Sequence, residues 1–290
     1  MLISALLNFI GVFLITKVNS SVTETVMNMV NFGENSEKAS IALAAALFSI
    51  VLWAVLAWYF GIPTSESHAL IAGLSGSAIA INGGFSGINI DEWLKAIYGL
   101  FTSCGLGFFG GFLICRLILT FFRNINRQKA DKFFKAAQIF ASSFMSFMHG
   151  AQDGQKFIAV LTLCASIQAY NSNNTFIIFA CSSLMALGTF TGGKKIIKSI
   201  GIDMIKPEKY QGFSADLAAS ISLLISTLSG LPVSTTHAKT TAIMGTGYAV
   251  KRKNLNTTII KDIALTWILT FPCCIGLGYL ITKVFLRIFI

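Results

Sequence analysis

Long apolar runs divided by short polar loops fill this chain, and few features restrict a fold more severely. The runs fall near 1–17 (extending toward 30), 40–60, 65–82, 93–120, 137–164, 174–192, 213–229, 234–250 and 259–285. About 17–25 apolar residues suffice to cross a bilayer as helix. In hydrocarbon the backbone must satisfy its own hydrogen bonds, which leaves helices and closed barrels. These runs are long and lack the alternation of barrel strands. An all-α, polytopic membrane protein of about nine spans is therefore expected. Only 12% of the residues are charged and 54% are hydrophobic, whereas soluble domains carry about 25% charged residues. An ordinary soluble fold is excluded.

The formal charge of +10 does not point to nucleic acid, because of where it sits. It gathers in three loops: Arg123, Arg127, Lys129, Lys132 and Lys135; Lys194, Lys195, Lys198, Lys206 and Lys209; and Lys251, Arg252, Lys253 and Lys261. Basic loops beside spans mark the cytoplasmic face. The loops around Glu34–Glu37, Asp91–Glu92 and Asn171–Asn174 are acidic or neutral. Cys104, Cys115, Cys164, Cys181, Cys273 and Cys274 all lie in apolar runs without C-x-x-C spacing. They read as buried small hydrophobes, not as a disulfide framework or zinc site. Met1 leads straight into apolar residues, with no basic n-region or small-residue cleavage site, so no signal peptide is expected.

One segment occurs twice. Gly61-Ile62-Pro63-Thr64-Ser65-Glu66-Ser67-His68-Ala69 returns as Gly230-Leu231-Pro232-Val233-Ser234-Thr235-Thr236-His237-Ala238, and Gly76 and Ala80 are matched by Gly245 and Ala249 at the same offset. If the basic loops share one side, 65–82 runs outward from a cytoplasmic Pro63–His68. By the same reasoning 234–250 runs inward from an external Pro232–His237. The motifs then enter from opposite faces, which predicts two inverted-topology repeats with interrupted helices, a secondary-transporter architecture. The first repeat covers 1–120, a basic cytoplasmic linker 121–136, and the second repeat 137–290.

Each motif can start a helix, since proline suits the first turn and Ser or Thr the N-cap. Free N–H groups, the dipole and adjacent hydroxyls make such a start a site for an oxyanion. Two of them meeting near the midplane could hold a tetrahedral anion from both sides. The plainer alternative is a helix cap with a packed histidine. A second constellation is Ser146-Phe147-Met148-His149-Gly150-Ala151-Gln152-Asp153-Gly154-Gln155-Lys156. Acid and lysine at membrane depth are costly unless paired or coordinated. The glycines predict local unwinding, with carbonyls and Asp153 around a cation. The alternative is an internal Asp153–Lys156 pair at i,i+3. Glu24 and Asp216 are weaker candidates, since each lies near a span end or a polar stretch, where solvated placement competes with a functional role.

Taken together, these motifs resemble the inorganic phosphate transporter (PiT-type) family. Pro232-Val233-Ser234-Thr235-Thr236-His237 is similar to its P-V-S-T-T-H signature, and Pro63-Thr64-Ser65-Glu66-Ser67-His68 to its P-T-S-S-S-H form. His149-Gly150-Ala151-Gln152-Asp153-Gly154-Gln155-Lys156 is similar to H-G-A-N-D-A-Q-K. Gly188–Gly193, Gln211-Gly212-Phe213 and Trp267–Pro272 follow in the family's order. The resemblance implies a cation-coupled symporter importing inorganic phosphate through a plasma membrane, multi-pass, with no cofactor and no enzymatic activity. It implies phosphate binding by Ser65, Ser67, Gln152, Ser234, Thr235 and Thr236. The coupling ion, sodium or a proton, would sit at Asp153 with Glu66, sodium at Asp153 being the metal candidate. His68, His149, Lys156 and His237 would support the site. Partners are phosphate, the coupling ion and the lipid bilayer; no nucleic acid is expected, and a homo-oligomer is left open.

Three departures stand out. Gln152 replaces the family's Asn, Glu66 replaces a hydroxyl residue, and the first-half N-D motif is missing. Asp153 lies 79 positions ahead of Pro232; the same offset from Pro63 falls about 16 residues before Met1. The first repeat is thus read as lacking its leading helix. Alternatives are a sulfate or other tetrahedral-oxyanion transporter, an incomplete non-transporting copy, and an intramembrane hydrolase using Ser65 or Ser234. The last gives no reason for an inverted copy.

Overall fold

A computed structural model describes residues 1–60, 64–167, 174–203, 208–250 and 257–290, with backbone alone described at 58, 167, 174, 192–203, 257–260 and 262–263. Pro63, Asn173, Lys206 and Lys251–Lys253, which figure in the sequence reading, lie outside those residues, as do the side chains of Lys194, Lys195 and Lys198.

Among the described residues the chain is helical throughout, with one isolated bridge between Val30 and Ile88. The helices are α1 (Leu2–Val18), α2 (Ser21–Asn28), α3 (Ser36–Phe60), α4 (Glu66–Asn82), α5 (Ile90–Phe121), α6 (Arg127–Ile167), α7 (Asn174–Asp203), α8 (Lys209–Leu228), α9 (Thr235–Val250) and α10 (Thr257–Phe289). Helices α3, α5 and α10 hold segments long and apolar enough to cross a membrane singly. The pair α1 and α2 qualifies only together, bent by 81°. The apolar run toward residue 30 is thus broken: Asn19 Oδ1 accepts from the Ser21 N–H at 3.0 Å and starts a new helix. Glu24, on α2, is exposed, in line with the solvated reading.

Local chemistry explains the ends. Asn89 caps α5 by accepting from the Asp91 N–H at 3.1 Å, and Asp91 and Glu92 in the first turn suit the positive end of the dipole. Glu208 and Gln211 form a reciprocal capping box on α8. Gly83, at φ 68°, closes α4 in the left-handed conformation that glycine adopts without steric cost.

Packing is carried by small residues, as expected where lipid cancels the hydrophobic drive between helices. A Cβ on Gly76 of α4 would lie 2.1 Å from the Ile275 carbonyl oxygen of α10, and one on Gly245 of α9 2.0 Å from that of Phe108 in α5. Further along the same crossings, Gly278 meets the Gly73 carbonyl and Gly111 the Ala242 carbonyl, both at 2.4 Å. So α4 lies along α10, and α9 along α5. On the outside, Phe101, Phe109 and Leu113 of α5 and Ile268, Leu280 and Ile288 of α10 are exposed.

Helix α6 runs unbroken through Gly150 and Gly154, which corrects the predicted unwinding. These glycines admit α1 instead: a Cβ would stand 2.3 Å from the Asn8 carbonyl oxygen or 2.4 Å from Val12 Cγ2. The cysteines also divide. Cys115, Cys181 and Cys274 are buried and Cys104 partly so, but Cys164 and Cys273 are exposed on apolar helices.

Candidate functional site

The repeated motifs build matching helix starts. Ser65, in extended backbone, accepts from the His68 N–H at 3.3 Å. Ser234 accepts from the His237 N–H, also at 3.3 Å. Capping occupies the third N–H of each helix and leaves the first two without helical partners. Both serines are buried, and their hydroxyl oxygens are taken up by capping.

The two starts meet in the interior. The rings of His68 and His237 stand edge to face, 4.5 Å between centroids. Phe271 stacks on His68 at 4.7 Å and Trp267 on His237 at 3.7 Å. Among the described residues none of the four imidazole nitrogens has a hydrogen-bond partner, and both rings are fully buried. They hold the helix starts by ring packing, and neither activates a serine.

Helix α6 ties the starts together through Asp153 and Lys156. Asp153 Oδ1 accepts from Lys156 Nζ at 2.7 Å and from Ser67 Oγ at 3.3 Å. Asp153 Oδ2 accepts from Thr235 Oγ1 at 2.9 Å and lies 3.2 Å from His149 Nε2. The Lys156 ammonium donates to Ser67 Oγ at 2.6 Å and to the Val233 carbonyl. Acid and lysine each bond one group from either motif. The helical i,i+3 ion pair is thus formed: both carboxylate oxygens are engaged by protein donors. Buried ions persist only when paired and hydrogen-bonded in this manner.

Among the expected ligands, Ser67, Thr235, Asp153, Lys156 and His149 come together. Thr236 is half-buried beside them and makes no hydrogen bond among the described residues. Gln152 is not in the cluster: its Nε2 donates to the Leu231 carbonyl at 2.8 Å and its Oε1 accepts from Thr227 Oγ1 at 2.5 Å. It braces the α8–α9 connection, because the next helical position points about 100° away from Asp153. Glu66 is exposed and joins no ion pair among the described residues. No group of three or more His, Cys, Asp or Glu side chains suited to a metal occurs among the described residues.

Several participants were not expected. Asn8 Oδ1 lies 3.2 Å from His149 Nδ1, and Asn8 Nδ2 donates to Thr189 Oγ1 at 2.8 Å, bringing α1 and α7 to the site. A polar residue inside an apolar run was the available signal. Thr23 on α2 donates to the Gln155 carbonyl at 3.0 Å, and Thr25 to that of Gly230 at 2.9 Å. Asp216, for which a solvated place is one of two readings from sequence, is buried and paired with Lys239.

Chemically, the cluster offers one ammonium, free N–H groups from two helix starts, and three hydroxyls. That is a donor set for an oxyanion.

Comparison with known proteins agrees with this chemistry. A model of the phosphate transporter family matches residues 1–278. A Bacillus subtilis (strain 168) protein named "Probable low-affinity inorganic phosphate transporter" is 34% identical over 281 residues, covering 96% of this chain and 83% of its own. A Rhizobium meliloti (strain 1021) protein of the same name is 34% identical over 232 residues, covering 79% of this chain and 69% of its own. The fold is similar to that of a solved structure described as "The sodium-dependent phosphate transporter", with TM-score 0.79 and 19% identity over 100% of this chain and 90% of that one.

Proposed function

Since this chain belongs to the phosphate transporter family, we propose that it imports inorganic phosphate as a cation-coupled symporter, multi-pass in the plasma membrane. One observation carries the reading. Two helix starts, from sequence-related motifs, converge on a single lysine and aspartate of α6. Phosphate would lie between the starts of α4 and α9, held by Ser67, Thr235, Thr236, the free N–H groups and Lys156. Ser65 and Ser234 shape those starts as caps. Asp153 would serve the coupling ion: once phosphate draws on Lys156, the carboxylate needs another cation, and sodium or a proton supplies it. Glu66 is a second carboxylate for that ion. The relative's sodium-dependent description favours sodium.

The same proposal includes inverted repeats over 1–120 and 137–290, joined by the cytoplasmic linker 121–136. Supporting it, the two caps share one geometry. Gly76 crosses α10 much as Gly245 crosses α5, so each half's motif helix packs on the other half's long helix. A hydrolase finds no support, since among the described residues neither the His68 nor the His237 ring is hydrogen-bonded to a serine.

The deciding experiment is uptake of labelled phosphate into proteoliposomes under a sodium gradient or a pH gradient. Arsenate and sulfate serve as competitors. Phosphate uptake driven by sodium and blocked by arsenate is expected. Inhibition by sulfate alone, or no gradient dependence, would overturn the reading.

A further inference from the structure

Helix α6 carries Gln138, Ser142, Ser146, His149, Asp153 and Lys156 at steps of three or four residues, so all six share one face. From Gln138 through Asp153 every one of them is half-buried. At 1.5 Å per residue this stripe extends about 22 Å from Gln138 to Asp153. Beyond Gln138, α6 and α8 continue back to their starts, which are held together by the Lys209–Asp131 pair at 2.5 Å and Arg127–Glu208 at 3.7 Å. A continuous polar face on a helix of a membrane protein turns to the interior and marks a path.

A second buried ion pair closes over this stripe. Gln138 Nε2 and Ser142 Oγ both donate to Asp216 Oδ2, at 2.6 and 2.7 Å. On the other oxygen Asp216 holds the Lys239 ammonium. The Asp216 side chain is 6% exposed, whereas Lys239 keeps 31%. On α9, Lys239 stands one turn beyond Thr235, which bonds Asp153, so the two share a helix face.

We propose that Lys239 is a second oxyanion position, latched by Asp216, on the route between the Asp153–Lys156 site and the α6–α8 end. This rests on the reading of the chain as an anion carrier. An anion leaving Lys156 along the α6 face meets Lys239 as the next cation. Lys239 then exchanges the carboxylate for the oxyanion, to which an ammonium binds as a point charge. Asp216 keeps the Gln138 and Ser142 donors when Lys239 departs, so unlatching does not strand a bare carboxylate. Lys239, 31% exposed, keeps its ammonium within reach of such an anion.

The test reads access to the path independently of transport. Ser146→Cys places a thiol on the stripe between the latch and the site. Its reaction with anionic and cationic methanethiosulfonates is followed in inverted membrane vesicles, with the unsubstituted chain as control for native cysteines. Asp216→Asn frees Lys239, and the anionic reagent should then react about tenfold faster, as expected of a charge focused in a narrow cleft. Lys239→Gln should erase the preference for the anionic reagent. If single variants fail to insert, the doubly neutral Asp216→Asn/Lys239→Gln should admit both reagents faster without preference. Unchanged rates in every variant that inserts would overturn the latch. Phosphate uptake by the unsubstituted chain is measured in parallel. Failure there defeats the phosphate reading, whereas failure of the accessibility assay defeats the latch alone.

Discussion

His68 and His237 lie edge to face with 4.5 Å between ring centroids. That contact makes the starts of α4 and α9 one place in the molecule, although each helix packs mainly on the opposite half. With Phe271 and Trp267 stacked outside them, the rings form a four-membered aromatic clasp. Behind it the hydroxyls of Ser67 and Thr235 are presented to Asp153.

This clasp predicts how the histidines respond to replacement. Their ring nitrogens have no hydrogen-bond partners among the described residues, and a buried unsatisfied polar group costs about 1–3 kcal/mol. His68→Phe and His237→Phe should each leave the unfolding temperature in detergent unchanged or raised. A fall of several degrees would mean that the nitrogens hold partners essential to the fold.

The hydroxyls divide into two kinds. Ser65→Ala and Ser234→Ala remove caps, each costing about 1 kcal/mol of stability. Ser67→Ala and Thr235→Ala remove donors to a charged group, worth about 1.5–3 kcal/mol, and phosphate binding should weaken about ten- to a hundredfold. Phosphate titration calorimetry beside thermal melts separates the pairs. Equal loss of affinity in all four variants would contradict the division.

Asp153→Asn strips Lys156 of its counter-charge, and breaking a buried pair in this way costs about 3–5 kcal/mol. Asp153→Asn/Lys156→Met removes both charges and should recover most of that stability while remaining unable to transport. Cation-driven uptake by the double variant would show the pair to be structural only.

The glycine crossings allow a paired comparison. Gly76→Ala and Gly245→Ala each set a Cβ about 2 Å from a carbonyl oxygen, a distance that real contacts do not tolerate, so helix separation must follow. Both should lose monodisperse protein by size-exclusion chromatography. Gly105→Ala and Gly276→Ala, with nothing within 4 Å, should behave as the parent does. Tolerance at Gly76 or Gly245 would mean that the crossings are looser than described.

Local pattern carried a good part of this protein. Apolar runs located nine of the helices, seven of them to within about four residues, because hydropathy and chain length act along the backbone; α6 begins ten residues before its run and α7 ends eleven after, where polar and basic residues continue the helix. The doubled Pro-to-His segments located two helix starts, because capping is decided within four residues. What local pattern could not decide is which faces meet. Adjacent on α6, Gln152 and Asp153 read as one pair, yet helical rotation sends one to the Leu231 carbonyl and the other to Ser67 and Thr235. Gly150 and Gly154 read as points of unwinding, but a glycine in a helix equally marks where another helix lies close, and α1 decided for the second. Asp216 reads as solvated or functional until α6, α8 and α9 enclose it with Gln138, Ser142 and Lys239. A buried charge is stable only with partners, and those partners come from helices distant in the chain. Composition and motif thus determined most of the helices and the starts of α4 and α9 by themselves; the tertiary packing alone chose which polar groups share the interior.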